Sequence, residues 1–197
     1  MREITVKLYE FSELSEEARR RAWMDHVDNL HEFGWDSEYR ATLDAFCKAF
    51  DVLTVEYDVN ENAFDFEFSL AYEPIYYMEP LRFARFIWNQ YAHQIQRGKY
   101  YGKIARDGRH VFRHSKTTVE YSCPFTGFMA DMAITGPVWD CIHYKKEYTC
   151  YDQLIEDCLT AFFEEWRDGM EYETSMECFE EYCDANELEF YETGARV

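Results

Sequence analysis

Four carboxylates in the first half of the sequence have types and spacing that could support chemistry. Glu56 and Asp58 alternate with apolar residues in one segment, and Asp65 and Glu67 do so in the next. The stretch 60–63 between the segments has the length and composition of a hairpin loop. Pairing the segments across this loop places Asp58 opposite Asp65 and Glu56 opposite Glu67. Opposed carboxylates can act as a general acid/base pair or as ligands of a divalent cation.

Three interpretations of this acidic hairpin face stay open. Like charges directly opposed in a sheet destabilise it by up to about 1 kcal/mol per pair. Selection for stability alone would place lysine or threonine at one member of each pair. Basic side chains from elsewhere in the chain could neutralise the face, a basic partner could bind it, or a metal-dependent enzyme could use it.

The last fifth of the sequence carries the densest group of carboxylates. From Asp152 to Glu192 there are 15 acidic residues and one arginine. Carboxylates on successive helical turns would lie ~5.4 Å apart, broadly comparable with phosphates along a nucleic-acid strand. Such an array could compete for a phosphate-binding channel, or it could be a solvated face that keeps the protein soluble. The predicted partner-binding residues in this segment are Glu164, Glu165, Asp168, Glu171, Glu173, Glu177, Glu180, Glu181, Asp184, Glu187 and Glu189.

Charge is distributed unevenly along the chain. Residues 1–80 carry 7 basic and 19 acidic side chains, residues 81–118 carry 9 and 1, and residues 119–197 carry 4 and 19. The basic block, residues 81–118, contains interleaved aromatic residues, a composition typical of surfaces that bind single-stranded nucleic acid. Neutralisation of the acidic segments is the alternative role. The nucleic-acid-binding candidates are Lys99, Lys103, Arg106, Arg109, Arg113 and Lys116.

Motifs that would identify an enzyme are absent from the sequence. There is no P-loop, no GxGxxG after a strand, no GxSxG and no HExxH. The seven cysteines include no CxxC pair, so the sequence does not favour a zinc site. His26 and His31 would point in different directions on a helix. We therefore predict no catalytic residue, no metal site and no cofactor.

The order of helical and alternating patterns predicts an α+β fold of small antiparallel sheets covered by about five helices. Ser15 caps the first helix, Pro80 begins another, and Gly169 and the stretch 135–137 interrupt helices. The predicted helices cover about 16–30, 36–50, 80–98, 150–168 and 175–185. The predicted strands cover about 4–8, 53–59, 64–70 and 188–190, together with two strands between Lys99 and His114 that are joined at Asp107 and Gly108. Among the side chains expected to face inward are Val6, Leu8, Leu53, Leu81, Trp88 and Tyr182.

Length and composition predict a single compact domain, 1–197, with lobes 1–80, 81–147 and an acidic helical 148–197. At 47% hydrophobic residues with 16 Phe and 16 Tyr, the chain has far more apolar content than acidic disordered proteins. The N-terminus has no apolar segment of signal-peptide length, and no stretch approaches the ~18 apolar residues of a membrane span. We therefore expect a cytoplasmic protein with no membrane partner.

Several segments together carry a resemblance that spans nearly the whole chain. They are Val6–Arg19, Gly98–Lys103, Cys123–Gly127, Asp184–Phe190 and Gly194. These segments are similar to parts of small accessory proteins of bacteriophages and prophages, a mostly uncharacterised group that supplies no catalytic residue to carry over. The resemblance implies a mobile-element accessory protein acting in the cytoplasm of a bacterial host.

Acidity combined with this resemblance predicts a non-enzymatic inhibitor of host defence. The nearest functional analogy is with anti-CRISPR proteins that mimic DNA. The expected partner is a CRISPR effector nuclease, or another defence nuclease, with a basic nucleic-acid channel. The alternatives are a nucleic-acid-binding accessory protein that uses the basic block and a metal-dependent enzyme that uses the hairpin carboxylates.

Overall fold

The fold is α+β. The computed structural model describes residues 6–30, 33–71, 77–95, 100–104, 110–114, 123–144 and 147–197, without the side chains of 100–104 and 110–114. The described helices are α1 (Glu16–Asp28), α2 (Asp36–Ala49), α3 (Pro80–Ile95), α4 (Ala130–His143), α5 (Tyr151–Glu173) and α6 (Met176–Ala185). The described strands are β1 (Tyr9–Glu10), β2 (Val52–Val59), β3 (Phe64–Leu70), β4 (Tyr100–Ile104), β5 (His110–His114) and β6 (Glu189–Phe190). They form three two-stranded antiparallel sheets, β1–β6, β2–β3 and β4–β5.

The chain divides into two compact units. Unit 1 comprises Met1–Asp36, Asn60–Ala63 and Arg167–Val197, and unit 2 comprises Ser37–Val59 and Phe64–Trp166. Helix α5 therefore contributes its first part to unit 2 and its last part to unit 1. The single-domain organisation stays a prediction.

Unit 1 is built from two capped helices and a short sheet. The Ser15 side chain accepts a hydrogen bond from the Ala18 N–H, and the Ser175 side chain accepts one from the Cys178 N–H, so both helices begin at a satisfied cap. The predicted Ser15 cap is confirmed. A 3₁₀ turn, Phe11–Glu13, follows β1. The buried core consists of Phe11, Leu14, Ala18, Ala22, Phe179, Cys183 and Phe190.

Unit 2 has an aromatic core organised by α5. Trp166 stacks on Tyr39 of α2, with ring centroids 5.1 Å apart, and Phe163 lies 5.2 Å from Phe66 of β3. The predicted hairpin is confirmed in both loop and register: Val59 pairs with Phe64, Asp58 with Asp65 and Glu56 with Glu67. Its phenylalanine face packs on α5, so alternation in the sequence corresponds to one packed and one solvated face.

Two strand predictions were wrong in detail. The register of the β2–β3 pair shifts between Val52 and Thr54, which leaves Val52 buried and Leu53 68% exposed. A bulge adds one residue and so reverses the face on which the preceding side chains lie. Between residues 6 and 15, the strand that the structure describes is Tyr9–Glu10, and Val6 and Leu8 are exposed. Ile4, predicted in the same strand, lies outside the described residues.

Two predicted helix breaks were also wrong. Helix α4 runs through Pro137, and α5 continues past Gly169 to Glu173. An interior proline costs about 3 kcal/mol and an interior glycine about 1 kcal/mol relative to alanine. Burial offsets these costs, since α4 buries Ile134 and Val138 on either side of its proline. α4 is thus a sixth helix that the sequence did not indicate.

Helix α3 begins at Pro80 as predicted, but its buried face overlaps the predicted one only in part. Leu81 is 67% exposed and Trp88 is also exposed, whereas Phe83 is fully buried. Ile87 and Tyr91 face inward as expected. The predicted end of the helix at Gly98 lies outside the described residues. No described helix combines the length and the apolarity that crossing a bilayer would require.

Candidate partner-binding surface

Nine of the eleven predicted C-terminal carboxylates lie in unit 1. On α6, Glu177, Glu180, Glu181 and Asp184 follow the i, i+3, i+4, i+7 spacing that places side chains on one helical face. We call these four residues the α6 carboxylates. Three of them are exposed and Glu180 is half-buried. Glu164 and Glu165, at the other end of the predicted set, belong to unit 2.

Hydrogen bonds hold part of this acidic segment in place. Glu181 accepts a hydrogen bond from the Tyr172 hydroxyl at 2.9 Å, which connects α6 to the end of α5. Glu173 accepts one from the Gly34 N–H at 2.9 Å, and Asp168 pairs with Arg167 at 2.6 Å. Within the described part of the chain, no basic side chain pairs with any of the α6 carboxylates.

The charge of unit 1 is strongly one-sided. Its sequence contains 20 acidic and 7 basic residues, a net of −13, whereas unit 2 contains 19 and 13. Of the basic residues in unit 1, Arg21 pairs with Glu17 on α1 and Arg167 with Asp168. A surface with so little internal neutralisation attracts cationic partners over a range set by the Debye length, about 8 Å at physiological salt.

Exposed aromatic rings accompany the carboxylates in unit 1. Tyr172 and Tyr182 are both among the exposed large side chains, although Tyr182 was predicted to face inward. The His26 ring of α1 stacks on Phe179 and Tyr182, with centroids 4.6 and 5.3 Å away. Burial, with a smaller contribution from Arg196, lowers the pKa of His26, so the ring is neutral at pH 7. Tyrosines of this kind, apolar in body and polar at the tip, are enriched at interfaces.

A cleft of about 680 Å³ in unit 1 is lined by four carboxylates, one of which is Asp184 of the α6 carboxylates. Glu10 of β1 lies directly opposite Glu189 of β6, and Asp184 and Glu187 border the same cleft. Glu10 was not among the predicted site residues. Glu10 could not be identified from its local sequence, because it reaches the cleft only through the pairing of β1 with β6 from the opposite end of the chain.

The hairpin carboxylates form a separate acidic face in unit 2. Glu56, Asp58, Asp65 and Glu67 are all exposed, and no described basic side chain forms an ion pair with them. No cluster of three or more His, Cys, Asp or Glu side chains suited to a metal ion occurs among the described residues. The geometry therefore gives the metal-dependent interpretation no support within this part of the chain.

Replacing Glu56 and Asp58 by lysine should stabilise the hairpin. Each lysine would face Glu67 or Asp65, exchanging a repulsive cross-strand pair for an attractive one worth up to about 1 kcal/mol. At about 2–4 °C per kcal/mol for a chain of this size, we expect the two pairs together to raise the midpoint of thermal unfolding by up to about 4–8 °C. Circular dichroism of the double variant measures this shift. A fall would instead mean that basic side chains elsewhere in the chain already neutralise the face.

The predicted nucleic-acid-binding residues lie largely outside the described part of the chain. Lys99, Arg106, Arg109 and Lys116 are not described. For Lys103 and Arg113 the structure gives only backbone positions, in which Lys103 pairs with Val111 and Arg113 with Tyr101. The two-stranded ladder predicted for this block is therefore confirmed, and its role in binding stays a prediction.

The described cysteines have no disulfide partners, and several have altered acidity. Burial raises the pKa of Cys141 to about 11, and burial together with Asp44 raises that of Cys47 to about 11. Burial and nearby acidic groups also raise the pKa of Cys183 to about 11. Since the thiolate is the reactive form, these three thiols are protonated and weakly nucleophilic at pH 7.

Comparison with protein-family models, with curated proteins and with solved structures found no match to this chain. The resemblance to phage accessory proteins therefore depends on the sequence segments alone.

Proposed function

We propose that this protein is a phage anti-defence inhibitor that binds a CRISPR effector nuclease and blocks its nucleic-acid channel. The observation that carries the proposal is the set of α6 carboxylates, which share one helical face and have no cationic partner among the described residues. The net charge of −13 shows that the whole of unit 1, and not α6 alone, is acidic. The resemblance to phage proteins supports the choice of partner.

The chemistry of recognition follows from what a nucleic-acid channel contains. Its arginines bind phosphates through paired N–H donors, and a carboxylate offers the same planar pair of acceptors. From Glu177 to Asp184 the helix rises by about 10 Å, which corresponds to about three phosphate spacings of ~3.4 Å along the axis of one strand. The α6 carboxylates can therefore engage arginines that are arranged for a backbone.

Exposed tyrosines would supply the non-electrostatic part of the interface. Tyr182 is on α6, and the Tyr172 hydroxyl donates a hydrogen bond to Glu181. Interfaces derive most of their affinity from a few buried aromatic and arginine anchors, whereas charges at the rim mainly accelerate association. The hairpin carboxylates in unit 2 are the second acidic face that we propose for partner binding.

The test is a pull-down at near-physiological salt with the tagged full chain and a panel of guide-loaded and guide-free CRISPR effectors. Captured effectors are then assayed for target-DNA binding. We expect capture together with loss of DNA binding. Neutralising the α6 carboxylates to Gln and Asn should weaken capture by at least about tenfold, as several charge-assisted bonds are removed.

The control variant carries the same change in charge on a different helix. It neutralises Glu16, Glu17, Asp25 and Asp28, which are all exposed on α1. We expect this variant to retain most of the capture, because the proposal assigns recognition to the α6 face. If both variants lost capture equally, the effect would be explained by net charge alone, which would contradict the proposed site. Failure to capture any effector, with nucleic acid retained instead, would favour the basic block as the functional surface.

A further inference from the structure

A groove of about 510 Å³ lies along the outer edge of the hairpin in unit 2. Five consecutive residues of β3, Phe64 to Phe68, line one side, and Glu156 and Thr160 of α5 line the other. Consecutive residues of a strand point to opposite faces, so a groove that all five border must run along the edge of the strand. No residue of β2 lines it, which identifies the edge as the free side of β3.

From Asp65 onward, β3 has no second strand neighbour within the described part of the chain. Its sheet there contains β2 and β3 alone, so β3 has one described neighbour. Every second residue of an edge strand directs its N–H and C=O groups outward, and such a row is a template for another strand. Proteins usually protect long edges with lysine, proline or a bulge. The bulge of this hairpin is at Val52–Thr54, and β3 contains neither lysine nor proline.

We propose that this groove binds an extended segment of a partner protein as a third strand, next to β3, in which basic residues alternate with apolar ones. The proposal goes beyond the effector binding assigned to the α6 carboxylates, and it specifies a partner chemistry for Asp65 and Glu67 of the hairpin in unit 2. Backbone hydrogen bonds to the edge of β3 would supply affinity, and side-chain neighbours across the two strands would supply selectivity.

Charge complementarity determines the basic positions of the segment. Asp65 and Glu67 lie on one face of β3, roughly 6.7 Å apart as alternate residues of a strand. Glu156 adds a third carboxylate to the groove, and no described basic side chain lines it. Cross-strand neighbours share a face, so lysine or arginine at alternate positions of the added strand would meet Asp65 and Glu67.

The other face of β3 determines the apolar positions. Phe66 and Phe68 point to the side that packs on α5, where Phe66 lies 5.2 Å from Phe163, and both rings border the groove. The residues of the added strand that lie between its basic positions would contact these rings. A segment of identical composition with its basic residues grouped together cannot place basic side chains on the carboxylate face of β3 and apolar side chains on the phenylalanine face at once.

The test uses the full chain and fluorescently labelled synthetic peptides at physiological salt, followed by fluorescence polarisation. One eight-residue peptide alternates lysine or arginine with valine, and a second contains the same residues with the four basic ones grouped. We expect the alternating peptide to bind about tenfold more tightly or better. Equal affinity would reduce binding to charge attraction and would overturn the proposal.

Backbone pairing is tested by two N-methylated forms of the alternating peptide. One carries methyl groups on the basic positions and the other on the valines. In an added strand, only one of these two sets directs its N–H groups toward β3. We therefore expect one methylated peptide to lose binding and the other to retain it. If both retain binding, or both lose it equally, the segment does not add as a strand.

Variants of the chain locate the binding to the groove. The double variant Asp65→Asn/Glu67→Gln should weaken the alternating peptide by about fivefold or more, as two exposed ion pairs are removed. The matched double variant Glu177→Gln/Glu180→Gln changes net charge equally in unit 1, and its affinity should stay within about twofold. Equal weakening in both would overturn the proposal. The peptide result does not depend on effector capture, so either proposal can fail alone.

Discussion

Asp131→Ala is expected to lower the free energy of unfolding by about 3–5 kcal/mol, since it removes a buried charge from a fully formed set of partners. Asp131 of α4 is completely buried. Its Oδ2 accepts hydrogen bonds from the backbone N–H groups of Phe125, Thr126 and Gly127 at 2.9–3.0 Å. Its Oδ1 accepts from the hydroxyls of Thr42 and Thr126 at 3.0 Å. Alanine leaves the buried Thr42 hydroxyl and the part-buried donors of 125–127 without this acceptor.

Two control variants separate the hydrogen bonds from other effects of the substitution. Asp131→Asn should have intermediate stability, because the amide oxygen can accept the three N–H groups while the hydroxyls rotate to accept from its NH₂ group. Asp140→Ala, on the same helix, removes a carboxylate that has no described side-chain hydrogen bond and should change stability by about 0.5 kcal/mol or less. Urea unfolding monitored by tryptophan fluorescence measures all three. Equal stability of the Ala and Asn variants would contradict this ordering.

The hairpin was predictable from sequence because the information that determines it is local. Alternation over 53–59 and 64–70, together with a loop of four residues, defines the register, and the structure has the predicted pairs. Leu53 was assigned to the wrong face because the bulge next to it depends on packing at the end of the strand. The alternation of apolar and polar residues in a strand does not indicate where a bulge inserts an extra residue.

The wrongly predicted helix breaks show a different limit of sequence reasoning. Proline and glycine lower helix propensity at known costs, and the prediction at 135–137 followed from those costs alone. Around Pro137, however, Ile134, Val138 and Cys141 are all fully buried. Burying side chains of this size contributes about 1.5–3 kcal/mol each, so tertiary packing exceeds the local preference.

The candidate surface was predictable in composition but not in arrangement. The density of acidic residues from Asp152 to Glu192 placed the α6 carboxylates among eleven predicted residues, whereas the helical face that the four share comes from the structure. The cleft that places Glu10 opposite Glu189 required the pairing of residues from opposite ends of the chain. Asp131 was not predicted, because its bond to Thr42 depends on the packing of α2 against α4 and its bonds to 125–127 depend on the conformation of the turn before α4.

Phe163→Ala is expected to destabilise unit 2 by about 3–5 kcal/mol and to loosen the hairpin specifically. Phe163 is fully buried, and its ring lies 5.2 Å from both Tyr57 of β2 and Phe66 of β3. Its centroid is also 5.2 Å from Phe162 and 6.1 Å from Trp166 on the same helix. Removing it deletes the main aromatic contact between both strands and α5. An isolated two-stranded hairpin is marginally stable in water, so the β2–β3 amides should lose protection first.

Leu53→Ala is the matched control on the same hairpin. Because Leu53 is 68% exposed, its truncation should change the free energy of unfolding by about 0.5 kcal/mol or less, although its place in the alternating pattern would predict a core residue. Urea unfolding gives the two stabilities, and native-state hydrogen exchange gives the protection of the β2–β3 amides in each variant. Unchanged protection in Phe163→Ala would show that the hairpin does not depend on α5. If Leu53→Ala lowered the free energy of unfolding as much as Phe163→Ala does, Leu53 would have to face the core, and β2 would have no bulge at that position.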